Sequence, residues 1–349
     1  MLTHCSFDGA QSNYHIGSWT FNSSTLDMQT RCPSTIQAHA RKYFCGEQLE
    51  HTARVHAESL RVGRFEPVLC RLPERGVDVR RLFDALDRQK AGKRGRILFA
   101  GDSLMDQMRV ALLCEAEAQG LLDEAQVRVD WQWQSWLVRA DASALLQAHT
   151  VANEHWLATV NLKGVSVLVL NTGAWWNNAK LGHNIYASTI RRALNAIVAL
   201  LHAKEFQPIV VWRDISPVGN GSGTDVADAR FNWHQFSEWN AIGREVFERA
   251  GHHVLRIEEA SAQRSADAHL GCRRADASAG AQICDWMHWC SPAPAGVPLM
   301  WLELLSNMIL HEPNFWTKAT TLARHRDNAR GPAVNVDDSG VERSAHTRE

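Results

Sequence analysis

"RILFAGDSLMDQMRVALLCEAEAQ", residues 96–119, is the stretch of sequence that decides the fold. It begins with a short, mostly apolar run that ends at Gly101. Asp102 and Ser103 are residue types favoured at a helix N-terminus, and they open a segment whose apolar residues recur at helical spacing. The stretch therefore predicts a strand, a sharp turn and a helix in immediate succession.

The same alternation continues toward the C-terminus. Strands that alternate with helices pair in parallel and carry helices on both faces, which predicts an α/β sandwich. In such sheets, ligands bind beyond the carboxyl ends of the strands. The further predicted strands are "VSVLVLNTG" (165–173), "PIVVWRD" (208–214) and "HVLRIE" (253–258), and the further predicted helices are "ASTIRRALNAIVALLHA" (187–203) and "FSEWNAIGREVFERAG" (236–251).

Two segments flank this alternating main domain, which spans residues 94–325. Residues 1–93 are mostly irregular, with one predicted helix near their end, and we expect a cysteine-stapled segment that packs on the main domain. Residues 326–349 are polar and aperiodic, which predicts a disordered tail.

The charge balance excludes two broad classes of partner. With 37 Lys and Arg against 38 Asp and Glu, the chain has no overall field that would hold it on nucleic acid or on an anionic membrane. The apolar stretch at residues 296–310 is too short to span a bilayer and predicts a buried amphipathic helix. Fourteen Trp stand against three Tyr, and Trp rings bind carbohydrate as well as filling cores. We therefore expect a neutral or locally recognised substrate.

The cysteines indicate an oxidising compartment. Eight of them, spread through the chain, could form four disulfides, although spacing alone leaves the pairing open. Two N-x-S/T sequons, at Asn22 and Asn220, agree with passage through the secretory pathway. The first residues lack the basic and apolar regions of a signal peptide, so either the sequence starts inside a longer protein, which we expect, or the argument for an oxidising compartment is wrong.

Ser103 is the first candidate for chemistry. At a strand-to-helix turn, a serine hydroxyl can stand clear of the sheet, and the backbone N–H groups of the helix N-terminus can stabilise an oxyanion. This location suits a nucleophile. The alternative is a simple helix cap, because Ser and Asp are common caps.

A catalytic serine needs a base, and the base needs an orienting partner. In "ICDWMHWCSP", residues 283–292, Asp285 and His288 stand three apart, which places them on one side of a helical turn or a tight loop. The carboxylate could then fix one ring nitrogen and leave the other for the serine. In the alternative interpretation Cys284, His288 and Cys290 bind zinc, but this motif lacks the fourth ligand and the usual C-x2-4-C pairs.

Polar residues also stand at two other predicted strand ends. Asn171 and Gly173 could complete an oxyanion hole, and Trp175 and Trp176 after them could stack on a sugar. An Asx-type turn cap and core packing are the respective alternatives. Arg213 ends a third strand, where a surface salt bridge is the alternative to a role in the site.

Four blocks, in order along the chain, resemble the plant trichome-birefringence-like proteins and the wider PC-esterase group of SGNH/GDSL-type enzymes. Those proteins carry a G-D-S block, a V-x-N-T-G-x-W-W block, an R-x-x-S-P block and a closing block with D-C-x-H-W-C. Here the blocks stand as "FAGDSL", "LVLNTGAWW", "WRDISP" and "CDWMHWCSPAPAGVPLMWLELL". "GSWTFNSS" and the cysteine series of the N-terminal part are also similar, so the resemblance covers about residues 5–310.

The resemblance implies an SGNH-hydrolase-like fold, a three-layer α/β/α sandwich with a parallel sheet, to which a disulfide-stapled irregular N-terminal segment is added. It implies Ser103 as nucleophile, His288 as general base and Asp285 as the residue that orients the base. The oxyanion and supporting positions that we assign are Gly101, Asp102, Asn171, Gly173 and Arg213.

Members of the family are polysaccharide O-acetyltransferases of the secretory pathway, with esterases among their relatives. By this resemblance, Ser103 takes an acetyl group from a co-substrate such as acetyl-CoA and passes it to a hydroxyl of a polysaccharide or oligosaccharide, with no bound cofactor or metal. An esterase would pass the acetyl group to water with the same residues, and an inactive carbohydrate-binding relative is the third possibility. The implied location is the Golgi lumen or the cell exterior.

The resemblance also favours disulfides over zinc, and the sequence departs from the family pattern at three points. Asp106 stands where many relatives carry Arg, Cys284 precedes Asp285 where relatives have D-C-x-H, and "SPVGNGSG" lacks the His that often follows S-P. The D-x-x-H spacing that the chemistry requires is kept, and we expect the substrate preference to differ. The implied disulfides are Cys5–Cys70, Cys32–Cys114, Cys45–Cys290 and Cys272–Cys284.

Overall fold

The structure, a computed structural model, describes residues 4–7, 12–22, 62–74, 76–90, 93–133, 138–139, 151–152, 159–174, 187–204, 206–219, 233–265, 268–274, 282–290 and 296–317. In chain order its elements are β1 (Gly17–Asn22), β2 (Val62–Pro67), α1 (Val79–Gln89), β3 (Arg96–Gly101), α2 (Ser103–Ala118), α3 (Leu122–Arg128), β4 (Val129–Trp133), β5 (Val138–Arg139), β6 (Val151–Ala152), β7 (Val165–Leu170), α4 (Ala187–His202), β8 (Ile209–Arg213), α5 (Phe236–Arg249), β9 (His253–Leu255), α6 (Glu258–Ala262), β10 (His269–Arg274), β11 (Gln282–Trp289) and α7 (Val297–His311).

A five-stranded parallel sheet forms the centre of the fold, in the order β4-β3-β7-β8-β9. The chain begins the sheet at β3, moves outward to β4, and then crosses back to add β7, β8 and β9 on the other side. The winding therefore reverses between β3 and β7, and ligands of such sheets bind at this point, beyond the carboxyl ends of the strands. Ser103 follows β3 and Asn171 follows β7, so both residues lie at this point.

Side chains of the central strands alternate between two cores, one on each face of the sheet. On β3, Ile97 and Phe99 pack with helices α1, α2 and α7, whereas Leu98 and Ala100 pack with α4 and α5. Burial on both faces explains why these strands stand out as short, continuous apolar runs. The predicted three-layer α/β/α sandwich with a parallel sheet is confirmed.

The predicted elements of the main domain are found with small shifts at their ends. Residues 96–101 form β3, and the helices expected at 187–203 and 236–251 are α4 and α5. The strand expected at 165–173 ends at Leu170 because the next three residues leave the ladder. The edge strand β4 was not predicted, since its five residues mix apolar with polar side chains.

The N-terminal part contains regular structure that the sequence did not predict. β1 and β2 form an antiparallel pair. A disulfide joins Cys5 to Cys70, which is the pairing that the resemblance implies. Trp19 donates its indole N–H to the carbonyl of Ala260 at 2.8 Å, and the Tyr14 hydroxyl donates to a carbonyl of β9 at 3.1 Å. These contacts pack the described part of the segment against β9 and α6.

The apolar stretch near the C-terminus forms α7, and most of its side chains are buried. Within the described ranges, no helix combines the length and apolarity needed to cross a bilayer. The tail expected at residues 326–349 lies outside the described residues.

Candidate active site

The turn between β3 and α2 places Ser103 at the helix N-terminus. Asp102 is the N-cap, and its carboxylate accepts a hydrogen bond from the Leu104 N–H at 2.9 Å. Because Asp102 caps the helix, the hydroxyl of Ser103 is not required for that purpose. Gly101 allows the tight approach of β7, since a Cβ here would lie 2.9 Å from the carbonyl oxygen of Asn171.

A bulge in β11 brings Asp285 and His288 together. In the β10–β11 ladder Trp289 lies opposite His269 and Asp285 opposite Gly271, so four steps along β11 match two along β10. A regular strand would turn residues three apart to opposite faces, and the bulge turns both to the same side. Oδ1 of Asp285 accepts hydrogen bonds from two backbone N–H groups inside the bulge, at 3.1 and 2.9 Å. The prediction of a helical turn or tight loop is thus wrong about the secondary structure, although the two side chains do meet.

Ser103, His288 and Asp285 form a continuous hydrogen-bonded chain. His288 Nε2 lies 2.5 Å from Ser103 Oγ, and His288 Nδ1 lies 2.7 Å from Asp285 Oδ2. Burial raises the pKa of Asp285, but the His288 ring and two backbone N–H groups outweigh burial, so the pKa lies below its ordinary value. The ionised carboxylate can therefore hold the imidazole with Nδ1 protonated and Nε2 facing the serine. This arrangement can activate a serine hydroxyl.

Arg213, at the end of β8, is a fully buried cation whose charge acts on Asp102. Burial raises the pKa of Asp102, and the charge of Arg213 is the largest influence in the opposite direction. Burial also lowers the pKa of Arg213 to about 10, so the guanidinium stays protonated at neutral pH. It stacks over the ring of Trp301 at 4.5 Å and has no hydrogen-bond partner among the described residues. The alternative of a surface salt bridge is therefore wrong for Arg213.

Asn171 and Gly173 lie where β7 ends, beside the serine turn. The backbone N–H of Asn171 donates to a carbonyl of β3 at 3.1 Å, and its Nδ2 donates to the carbonyl of Arg213 at 3.0 Å. Gly173 has a φ of 129°, which favours glycine. These contacts join the ends of β3, β7 and β8, and an oxyanion role for either residue stays a prediction. Two sugar-stacking candidates lie outside the described residues: Trp175 and Trp176.

Gln107, which the sequence analysis missed, ties the serine helix to the histidine strand. Its Nε2 donates to the carbonyl of Trp289 at 2.6 Å, and its Oε1 accepts from the N–H of Trp289 at 3.2 Å. Gln107 stands one turn after Ser103, and Trp289 directly follows His288. The amide therefore helps to set the spacing between the hydroxyl and the imidazole. The sequence offers no clear signal for this role, because Gln107 stands between Asp106 and Arg109 in a mixed helix segment and its burial is seen only in the fold.

Replacing Gln107 by Met is expected to lower kcat by about 10- to 100-fold with little change in KM, because a small displacement of catalytic groups costs this much. Gln119→Met is the matched control. Gln119, at the other end of α2, also makes two backbone hydrogen bonds, to Val79 and Val77. Both variants should lose stability, on the order of 1–3 kcal/mol for each unsatisfied group. Equal kcat values in the two variants would show that Gln107 only stabilises the fold.

Trp289 is also held through its indole. The indole N–H donates to Ser216 Oγ at 2.8 Å, and the centre of the His269 ring lies 3.7 Å from that of the indole. Nδ1 of His269 lies 3.1 Å from the carbonyl of His288. Burial lowers the pKa of His269 to about 3, so the ring is neutral and donates from Nδ1 to that carbonyl. Ser216, from the "WRDISP" block, and His269 thus fix the backbone that carries the candidate base.

His269 is expected to make the protein less stable as the pH falls below about 6.5. Its pKa is depressed in the folded state, so between about pH 6.5 and 3 the unfolded chain binds a proton that the folded chain does not. The free energy of unfolding should fall by up to about 1.4 kcal/mol per pH unit from this group. The free energy of unfolding would be measured with denaturant between pH 4.5 and 7.5. It should change less steeply with pH in His269→Asn than in the wild type, whereas a control variant at an exposed histidine, His234→Asn, should keep the wild-type pH dependence. If the free energy of unfolding changed equally with pH in all three proteins, His269 would not be the cause of the loss of stability.

Comparisons with known proteins include a distant structural likeness. No protein-family model matches the chain, and no curated protein matches it. Among solved structures, an acetyl xylan esterase, AlAXEase, aligns with a TM-score of 0.36 at 14% identity, covering 61% of this chain and 97% of that chain.

Two cysteines near the site take part in disulfide bonds. Cys114 of α2 and Cys290, which follows β11, are each disulfide-bonded. The partners that the resemblance implies for them, Cys32 and Cys45, lie outside the described residues. The disulfide at Cys290 therefore tethers the chain two residues after His288, the candidate base.

The zinc interpretation of the closing motif is wrong. It required Cys284, His288 and Cys290 as ligands. Cys290 is disulfide-bonded, and both ring nitrogens of His288 face other side chains. The backbone register places Cys284 opposite Cys272, and the disulfide that the resemblance implies between them stays a prediction.

Proposed function

We propose that the protein is a polysaccharide O-acetyltransferase that works through an acetyl-serine intermediate. The observation that carries the proposal is the Ser103–His288–Asp285 chain, with contacts of 2.5 and 2.7 Å, at the carboxyl end of a parallel sheet. The four sequence blocks that resemble polysaccharide acetyltransferases support the choice of acetyl group and sugar acceptor.

In the first half-reaction, Ser103 attacks the acetyl donor. His288 Nε2 takes the hydroxyl proton as Ser103 Oγ bonds to the acetyl carbonyl carbon, and Asp285 stabilises the imidazolium. Backbone N–H groups at the N-terminus of α2 can stabilise the oxyanion of the tetrahedral intermediate. When the intermediate collapses, the bond to the leaving group breaks and His288 returns the proton to it. With acetyl-CoA as donor, the products are the neutral thiol and acetyl-Ser103.

In the second half-reaction, a hydroxyl of the sugar acceptor is the attacking group, as the Ser103 hydroxyl was in the first. A sugar hydroxyl gives its proton to His288 Nε2 and attacks the acetyl carbonyl carbon. The bond to Ser103 Oγ then breaks, and the serine recovers the proton. The products are an acetylated sugar and the original enzyme. Water in place of the sugar would release acetate, which is the esterase reaction.

The experiment that tests the proposal supplies the protein with acetyl-CoA or an activated acetyl ester and with xylan, mannan or pectin oligosaccharides. Mass spectrometry of the glycans should show acetyl groups gained on one class of glycan and none gained with Ser103→Ala. Loss of acetyl groups from pre-acetylated oligosaccharides, without any gain, would replace the transferase by an esterase. Oligosaccharide binding without either reaction would rule out both the transferase and the esterase and would leave a carbohydrate-binding protein.

The disulfides support a location for this reaction. Cys5, Cys70, Cys114 and Cys290 are all disulfide-bonded, and such bonds persist in the secretory lumen and outside the cell. We therefore place the activity in the Golgi lumen or outside the cell.

A further inference from the structure

Trp133 stands out at the carboxyl end of the edge strand β4. The residue is 47% exposed, although large aromatic residues are usually buried. In the parallel ladder Trp133 pairs with Gly101, two residues before Ser103. Neighbouring strands lie about 4.8 Å apart and consecutive Cα atoms about 3.8 Å apart, so the Cα atoms of Trp133 and Ser103 are at most about 12 Å apart. A short oligosaccharide that reaches Ser103 could therefore also cover Trp133.

The ring of Trp133 is supported by a second tryptophan. Trp131 lies two residues earlier on the same face of β4, and its ring meets Trp133 edge-on, with ring centres 5.8 Å apart. Trp131 is partly buried and packs against the core shared with α2. The exposed ring of Trp133 therefore contacts a neighbouring ring, that of Trp131, which is fixed by its packing against the core.

A charged side chain completes this surface, and its charge is balanced. Arg109 of α2 lies over the ring of Trp131 at 5.8 Å. Two of its nitrogens donate to Asp106 Oδ1, at 3.1 and 2.9 Å. Asp106 is fully buried, so the pair is fixed and nearly neutral as a unit. Asp106, which departs from the family pattern, thus holds an arginine in place.

We propose that Trp133, Trp131 and Arg109 form a subsite for a ring of a neutral polysaccharide acceptor. An exposed indole face suits the C–H face of a pyranose, and a fixed guanidinium can donate hydrogen bonds to sugar hydroxyls. The Asp106 carboxylate offsets the charge that would otherwise attract an acidic sugar. The inference rests on the proposed function and narrows its acceptor to neutral chains such as xylan or mannan, against pectin.

The test measures oligosaccharide binding by titration, apart from any acetyl transfer. Trp133→Ala should weaken binding of neutral xylo- or manno-oligosaccharides by about tenfold, and Trp133→Phe should weaken it less. Phe206→Ala is the matched control, because Phe206 is an exposed aromatic, at 41%, that precedes β8 and so lies at the amino end of the sheet, away from the carboxyl ends where Ser103 lies. Thermal unfolding of the variants should stay close to that of the wild type.

Three results separate the subsite from the proposed function. Equal loss of binding in Trp133→Ala and Phe206→Ala, or no loss in either, would overturn the subsite. Tighter binding of oligogalacturonate than of a neutral chain of the same length would overturn the choice of a neutral acceptor. If neutral oligosaccharides bind and depend on Trp133 but no acetyl transfer occurs, the subsite stands and the transferase proposal fails.

Discussion

Ser103→Ala is expected to lower acetyl turnover by about 10³-fold or more, since removing the proposed nucleophile would abolish the covalent route and leave only binding and oxyanion stabilisation. Asp102 caps α2 without help from the serine hydroxyl, so the fold should be unaffected. Turnover with an activated acetyl ester and thermal unfolding would be measured side by side.

Ser237→Ala is the matched control for the proposed nucleophile. Ser237 also lies in the first turn of a helix, α5, but it is exposed and far along the chain from the candidate triad. Turnover of this variant should equal that of the wild type. A Ser103→Ala enzyme that keeps a tenth or more of the wild-type rate would remove Ser103 from the nucleophile's role.

Asp285→Asn should cost about 10³- to 10⁴-fold in kcat, because an amide no longer favours the imidazole tautomer with Nδ1 protonated and does not stabilise the imidazolium. The Asp285 pKa is depressed in the folded protein, so its stabilising contribution is present at neutral pH and is lost as the pH falls through that pKa. At neutral pH the comparison of Asp285 with Asn is therefore a comparison of the ionised carboxylate with an amide. The rate would be measured across pH 6 to 8.

Asp123→Asn, on the exposed face of α3, controls for loss of a carboxylate elsewhere and should leave kcat unchanged. Equal kcat values in Asp285→Asn and the wild type would mean that His288 needs no orienting carboxylate. A fall in stability with no fall in kcat would assign Asp285 to the bulge alone, where it accepts two backbone hydrogen bonds.

The main domain could be predicted from the sequence because its elements carry local signals. β3 and β7 are short apolar runs buried on both faces, and Asp102 marks the start of α2 with a cap. The three-residue spacing of Asp285 and His288 also indicated that the two side chains meet. That spacing predicted the wrong secondary structure, because the bulge depends on the register with β10, a distant partner.

The contacts that hold the site together lie beyond local patterns. Gln107 matters because its amide reaches the backbone of Trp289, 182 residues later in the chain. His269 matters because its ring lies against the same tryptophan. Trp133 lies near Ser103 because it pairs with Gly101 on the neighbouring strand. Each of these depends on tertiary packing, which residue spacing does not encode.

The most direct test of the central claim is the mass of the peptide that contains Ser103 after brief mixing with acetyl-CoA or an activated acetyl ester. We predict the gain of one acetyl group on Ser103, which disappears when an oligosaccharide acceptor is added and never forms in His288→Ala. A Ser103 peptide that stays unmodified while the protein still transfers or releases acetyl groups would contradict the acyl-enzyme account.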